Sequence, residues 1–191
     1  MQRFGKIIIV LFVLVCFYPF LNAEDIRSFP LDFYLIIDDS ESFHNAKDNA
    51  IAWVNGQVLD RLLMEGDSVT IWAAGETARI LYSGNISSLN VKKDIQETIR
   101  TLRMEGKTAD FSGALRELEP RLSRTPQDRL SYSVLVTASA EGLSSTLTGK
   151  SQSLLRWFRT EKYERWQALI LAPNIDQRVN QAASSYINSF R

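Results

Sequence analysis

The sequence predicts an α/β protein whose doubly wound, mainly parallel sheet has one antiparallel edge strand and helices on both faces. Three short apolar runs are typical of strands buried on both faces of a parallel sheet, namely residues 33–37, 132–137 and 166–172. Residues 68–74 and 77–82 are also extended in pattern, and only Gly75 and Glu76 separate them. Because that turn is too short for a crossover helix, the two segments are predicted to form an antiparallel hairpin.

The helices are predicted from apolar residues that recur every three or four positions. This spacing marks five stretches: residues 43–63, 89–103, 111–122, 151–158 and those that follow Pro173. Asp110 stands directly before the third stretch, where an aspartate accepts hydrogen bonds from unpaired backbone N–H groups. Pro120 is expected to kink or shorten that same helix.

The N-terminal region has the pattern of a secretory signal peptide over residues 1–23. Arg3 and Lys6 give it a positive start, residues 7–21 are almost wholly apolar, and Ala23 ends it before an acidic pair. We therefore predict cleavage after Ala23 and a single domain over residues 24–191. An uncleaved segment would be the chain's only contact with a membrane, although its apolar run is shorter than the ~20 residues of a spanning helix.

Cysteine usage and charge limit the location and the partners. Cys16 is the only cysteine, so a chain cleaved after Ala23 has no disulfide. Lipid attachment at Cys16 is the alternative, which the bulky Val15 before it disfavours. We expect an exported protein, periplasmic or extracellular, and the absence of disulfides favours a bacterial periplasm. Because 22 basic residues balance 22 acidic ones without a basic stripe, nucleic acid is not an expected partner.

A polar cluster follows the first strand, in which Asp38, Ser40 and Ser42 are spaced Asp-x-Ser-x-Ser. The carboxyl end of a central strand in an open α/β sheet is where ligands bind. One carboxylate and two hydroxyls are hard oxygen ligands, which suit Mg²⁺, Mn²⁺ or Ca²⁺. A simpler interpretation is that Ser40 or Ser42 caps the next helix and Asp38 is an ordinary strand-end carboxylate.

This cluster resembles the metal-ion-dependent adhesion site of von Willebrand factor type A (vWA) domains, whose fold is Rossmann-like. The order of strands and helices is similar to that of the family over nearly the whole chain, although a sixth strand is not evident. The resemblance implies that Thr108 in a second loop is a ligand, or Asp110 instead, because Thr108 lies one residue too far from the following helix. Ala138 stands where the family has a third-loop aspartate.

The resemblance implies a module that binds another protein, with no reaction catalysed. In the family, an acidic side chain of the partner fills an open coordination position of the metal. With Ala138 in place of an acid, Asp38 is the only family-type carboxylate left, so any Mg²⁺ or Mn²⁺ should bind weakly. No Ser-His-Asp set or phosphate-binding glycine loop is present in the sequence, which agrees with a protein that is not an enzyme.

Two alternatives remain open at the level of sequence. The first is a vWA scaffold whose metal site is vestigial and which acts through its helical surface or its edge strand. The second is a receiver-like phosphoacceptor domain, because Asp38 and Asp39 look like its acidic pair and Thr137 like its switch threonine. The second alternative lacks a phosphoacceptor aspartate after residues 77–83 and a lysine after the last strand.

Overall fold

The computed structural model describes residue 27, residues 29–137 and the backbone of the strand at 166–171, and the statements below concern that part of the chain. Its five strands are β1 Leu31–Asp38, β2 Ser68–Ala74, β3 Ala78–Asn85, β4 Leu130–Val136 and β5 Trp166–Leu171. They form one sheet in the order β3-β2-β1-β4-β5. Only the pair of β2 and β3 is antiparallel. The central first strand, the parallel sheet and the antiparallel edge hairpin are therefore confirmed.

In the described part of the chain, three helical segments connect the strands. The first begins as a 3-10 helix at Glu41–Ala46, continues as the α-helix α1 at Lys47–Trp53 and ends as a π-helix at Val54–Leu59. The others are α2 at Leu89–Arg100 and α3 at Phe111–Leu122. Each lies where the apolar spacing predicts a helix, but α2 ends three residues early and the first segment changes its winding twice.

Helices cover both faces of the sheet, as the doubly wound fold requires. Successive side chains of β1 point to opposite faces. Leu35 packs with the first helical segment and α2, whereas Ile36 packs with α3. All four residues of the predicted apolar stripe of α3 are buried, namely Phe111, Leu115, Leu118 and Leu122. Because both faces of β1 are covered, every residue of that strand is buried.

Pro120 lies in the last turn of α3, and the helix continues for two residues beyond it. A proline lacks the N–H that would bond to the carbonyl four residues earlier. In the last turn of a helix this loss affects one bond only, and Pro120 is exposed to solvent. The prediction that Pro120 shortens this helix is therefore wrong, since α3 covers the whole predicted stretch to Leu122.

Several predictions concern residues outside the described part of the chain. They are the signal peptide over residues 1–23, Ala138, the helix at 151–158 and the helix after Pro173. Within the described part, no helix combines the length and apolar character that crossing a membrane requires.

Candidate metal-binding site

Asp38, Ser40 and Ser42 come together at the carboxyl edge of the sheet. Asp38 is the last residue of β1, and the chain turns immediately into the first helical segment. The Asp38 Oδ1 atom accepts hydrogen bonds from the Ser40 backbone N–H at 2.9 Å and from the Ser40 hydroxyl at 2.5 Å. The Ser40 and Ser42 hydroxyl oxygens are 2.8 Å apart. The spacing Asp-x-Ser-x-Ser thus places three oxygen-bearing side chains in one hydrogen-bonded row.

The geometry of this row fits a small hard cation. Neighbouring ligand oxygens around an octahedral Mg²⁺ with bonds of 2.0–2.1 Å are about 2.9 Å apart. The 2.8 Å between the Ser40 and Ser42 hydroxyl oxygens is close to that value, whereas the 2.5 Å between Asp38 Oδ1 and the Ser40 hydroxyl is the length of a short hydrogen bond to a carboxylate. Asp38 and Ser40 are each 3% exposed, while Ser42 is exposed and lies at the open end of the row. Asp38, Ser40 and Ser42 are therefore the residues that would hold a divalent cation.

The loop that carries Thr108 and Asp110 is fastened to the β1 loop by backbone hydrogen bonds. Gly106 accepts from the Glu41 N–H at 2.7 Å and donates to the Asp39 carbonyl at 3.0 Å, forming a short parallel bridge beside Ser40. Asp110 in turn donates its backbone N–H to the Gly75 carbonyl at 2.7 Å. Backbone hydrogen bonds thus join the loops after β1, β2 and α2 at this edge of the sheet.

The side chains of Thr108 and Asp110 do not join the hydrogen-bonded row. Thr108 is exposed, and its hydroxyl makes no hydrogen bond to another residue in the described part of the chain. The Asp110 Oδ1 atom accepts from the Gly113 N–H at 2.8 Å at the N-terminus of α3. Asp110 therefore caps the helix, as its position in the sequence predicts, and its role as a metal ligand stays a prediction together with that of Thr108.

Thr137 is a member of the site that the metal-site prediction did not include. Its hydroxyl donates to the Asp38 Oδ2 atom at 3.1 Å, and the residue is 1% exposed. The available signal was the position of Thr137 directly after β4, since β4 lies beside β1 in the parallel sheet. A polar residue at the end of a strand adjacent to the central one is placed next to its neighbour's terminal carboxylate.

The described residues contain no group of three or more histidine, cysteine, aspartate or glutamate side chains arranged to hold a metal ion. A cation at this site would therefore depend on one carboxylate from the motif and on neutral hydroxyls. Since a divalent cation is held largely by the negative charge around it, such a ligand set favours weak binding.

Asp39 points away from the row and forms an ion pair with Arg79 near the start of β3. The Asp39 Oδ2 atom accepts from the Arg79 guanidinium at 2.8 Å. The Asp39 side chain is 11% exposed and that of Arg79 is 55% exposed. Adjacent carboxylates of β1 and its loop thus have separate roles, because side chains alternate between the two faces of the strand.

No protein-family model matches this chain, and a search of curated proteins finds no match either. Among solved structures, proximal thread matrix protein 1 from the mussel byssus is similar, with 14% sequence identity and a TM-score of 0.55. The similarity covers 76% of this chain and 38% of that chain. A von Willebrand factor type A protein from Catenulispora acidiphila is similar over 85% of this chain and 42% of that chain, with 14% identity and a TM-score of 0.45.

The von Willebrand factor domain of the type V pili tip protein Mfa5 from Porphyromonas gingivalis is similar over 59% of this chain and 38% of that chain, with 18% identity and a TM-score of 0.47. This chain spans less than half the length of each of these three structures. Identities this low concern the fold alone. The fold is vWA-like, as the sequence predicts: a central first strand, an antiparallel edge strand after the second, and helices on both faces.

Proposed function

We propose that this chain is an exported protein-binding module whose Asp38, Ser40 and Ser42 hold Mg²⁺ or Mn²⁺ weakly. When bound, the cation would supply a positive centre for an acidic side chain of a partner protein. The observation that carries the proposal is the row of three neighbouring side chains with oxygen atoms, one carboxylate and two hydroxyls, at the carboxyl edge of the sheet. Ser42 at the open end of the row leaves access for a partner.

The experiment is a calorimetric titration of the exported chain with Mg²⁺ and Mn²⁺, compared with the Asp38→Asn and Asp38→Ala variants. The amide of Asp38→Asn keeps the shape and one acceptor oxygen but removes the charge, so cation binding should be lost. Asp48→Asn is the matched control, because Asp48 is exposed on α1. No heat of binding at millimolar cation in the natural protein would reject the metal-dependent function.

Replacement of Ala138 by aspartate tests the same proposal in the opposite direction. A second carboxylate near a cation adds attraction of ~4 kcal/mol at 4 Å near a protein surface, before the cost of removing water. Ala138→Asp should therefore raise the cation affinity tenfold or more. An unchanged affinity would mean that residue 138 does not face the cation.

A vestigial scaffold is the second candidate, and one observation favours it. Both carboxylate oxygens of Asp38 already accept hydrogen bonds, from Ser40 and from Thr137. These bonds satisfy the buried charge without a metal. The scaffold predicts that Asp38→Asn leaves partner association unchanged, whereas metal-dependent binding predicts its loss. A pull-down with the natural chain and both variants, with and without a chelator, separates the two.

Export is part of the proposal and rests on the N-terminal sequence pattern. The mature protein should begin at Glu24 and be recovered outside the cytoplasm. Mass spectrometry of the N-terminal peptide is the measurement. A cytoplasmic protein that begins at Met1 or Gln2 would reject export, and an acylated terminus at Cys16 would replace cleavage after Ala23 by lipid attachment.

A further inference from the structure

We propose that a cleft beside the candidate metal site binds a second acidic side chain of the partner. We call it the Arg79 cleft. It has a volume of about 360 Å³ and lies between β3, the end of α2 and the loop at Gly106, with Arg79 and Arg103 in its lining. The identity of the partner rests on the proposed function, whereas the affinity of the cleft for a carboxylate can be tested without it.

In the Asp39–Arg79 ion pair, the arginine is the partner exposed to solvent. Asp39 is nearly buried, while more than half of the Arg79 side chain is exposed. The bond to Asp39 uses one of the five N–H donors of the guanidinium. The others are available for a carboxylate, which a guanidinium binds with two parallel hydrogen bonds. Asp39 therefore holds Arg79 in place without occupying its outer edge.

Arg103 adds a second cation to the same cleft. Its nearest acidic partner is Glu105 at 3.9 Å, and both side chains are largely exposed, at 82% and 73%. An exposed pair at this distance is weak, so an incoming carboxylate competes easily with Glu105. Glu105 also lines the cleft, so two arginines and two acids meet there: Asp39 is nearly buried and paired with Arg79, while Glu105 is exposed and only loosely paired with Arg103.

The remaining walls suit the rest of an acidic side chain. Leu81 and Leu102 provide apolar surface for its methylene groups. The C-terminus of α2 is the negative end of the helix dipole and would repel an anion. Lys47 reduces that repulsion, because its ammonium group donates a hydrogen bond to the Leu102 carbonyl.

One partner segment can reach both sites because they share a wall. Asp39 follows Asp38 directly, and Gly106 in the lining of the Arg79 cleft forms a bridge with Ser40. The cation site and the Arg79 cleft are therefore adjacent along the same loop. A partner with two acidic residues a few positions apart would place one on the cation and one on Arg79.

The test uses glutarate as the probe, since it carries the same methylene and carboxylate groups as a glutamate side chain. Titration of the natural protein, followed by NMR of the arginine Nε–H signals, should shift those of Arg79 and Arg103 with and without Mg²⁺. Arg79→Ala should weaken glutarate binding about tenfold. Arg79→Lys should weaken it less, because lysine keeps the charge but cannot form two parallel hydrogen bonds to a carboxylate. Arg103→Ala should weaken glutarate binding and leave the hydrogen bond from Arg79 to Asp39 intact.

Arg100→Ala is the matched control, since Arg100 is exposed on α2 and pairs with Glu97 outside the cleft. Equal responses of Arg79 and Arg100, or glutarate binding unchanged in Arg79→Ala and Arg103→Ala, would overturn the proposal. Asp38→Asn should leave glutarate binding intact. Glutarate binding without any cation affinity would support the Arg79 cleft and reject the proposed metal-dependent function. Cation affinity without a response of Arg79 to glutarate would support the metal-dependent function and reject the cleft.

Discussion

At the scale of single residues, the hydrogen bonds of Asp38 decide how strongly a cation can bind. A buried carboxylate costs several kcal/mol unless its oxygens are satisfied, and hydrogen bonds to charged groups contribute about 1.5–3 kcal/mol each. Within the described residues, at least three such donors reach Asp38. A cation must replace the hydroxyl hydrogens of Ser40 and Thr137, which can rotate away, but the Ser40 backbone N–H stays in place. This competition favours weak affinity, in agreement with the single carboxylate.

Gly106 is the residue on which the alignment of the loops depends. A Cβ atom at Gly106 would lie 3.0 Å from the Asp39 carbonyl oxygen and 3.2 Å from the Gly75 Cα atom. Because backbone atoms cannot yield as a flexible side chain does, Gly106→Ala should separate the loops. We expect a loss of stability of about 1–3 kcal/mol, measured by denaturant unfolding, and a weaker response to Mg²⁺ and to glutarate.

Gly75→Ala is the control for that substitution. Its Cβ atom would lie 3.5 Å from the nearest atom beyond its chain neighbours, the Asp39 Oδ2, which is ordinary van der Waals contact. We expect the stability to stay the same or to rise by up to about 1 kcal/mol, because alanine restricts the unfolded chain. Equal losses in the two variants would show that the close approach at Gly106 is not the cause.

At the scale of elements, the sequence predicts two roles for the residue that precedes α3, helix capping and metal binding. Asp110 lies directly before α3 and accepts the Gly113 N–H, which is the bond of an N-cap. The apolar stripe of the helix packs on the sheet, so the start of α3 is fixed from one side by packing and from the other by this cap.

Substitution of Asp110 separates capping from metal binding. Serine caps a helix about as well as aspartate, whereas alanine loses about 1 kcal/mol. Asp110→Ser should therefore preserve stability and Asp110→Ala should lower it in thermal unfolding. If Asp110 only caps the helix, the cation affinity of Asp110→Ser stays at the natural value. A loss of affinity in Asp110→Ser with unchanged stability would make Asp110 a ligand.

At the scale of the whole molecule, two cores separated by the sheet hold the fold together. Tyr34 on β1 lies in the core beneath α3 and is 5% exposed. Burial, and then the charge of Asp32, raises the pKa of the Tyr34 hydroxyl above its ordinary value of 10.0. Because the buried Tyr34 is held in its neutral form, the free energy of unfolding should depend on pH in alkaline solution.

The sign of that effect follows from linkage. Below pH 10 both the folded and the unfolded chain keep Tyr34 neutral, so the contribution of Tyr34 to the free energy of unfolding is fully present. As the pH rises above 10, the unfolded chain ionises first, and the free energy of unfolding falls until the folded pKa is passed. Stability measured against pH should fall more steeply above pH 10 in the natural protein than in Tyr34→Phe.

Lys92 makes that comparison necessary, because burial lowers its pKa below the ordinary value of 10.5 and its contribution to stability changes with pH in the opposite direction. The difference between the natural protein and Tyr34→Phe cancels the contribution of Lys92. A difference that is constant between pH 9 and 11 would contradict the assignment to Tyr34.

The sequence by itself determined the fold class, because strand and helix periods are local properties of the chain. The apolar run of β1, the short turn at Gly75 and the stripe of α3 are each contained in a few consecutive residues. The pattern Asp-x-Ser-x-Ser is also local, which is why the sequence predicts Asp38, Ser40 and Ser42 as one cluster and why they lie together in the structure.

Only the tertiary structure decided which distant residues complete the carboxyl edge. Thr137 reaches Asp38 across 99 positions and Arg79 reaches Asp39 across 40, both through the arrangement of strands in the sheet. Gly106 was an ordinary loop glycine in the sequence, and its contact with Asp39 and Gly75 exists because three loops meet at one edge. Such contacts depend on pairing and packing between separate segments, and no periodicity within one segment contains them.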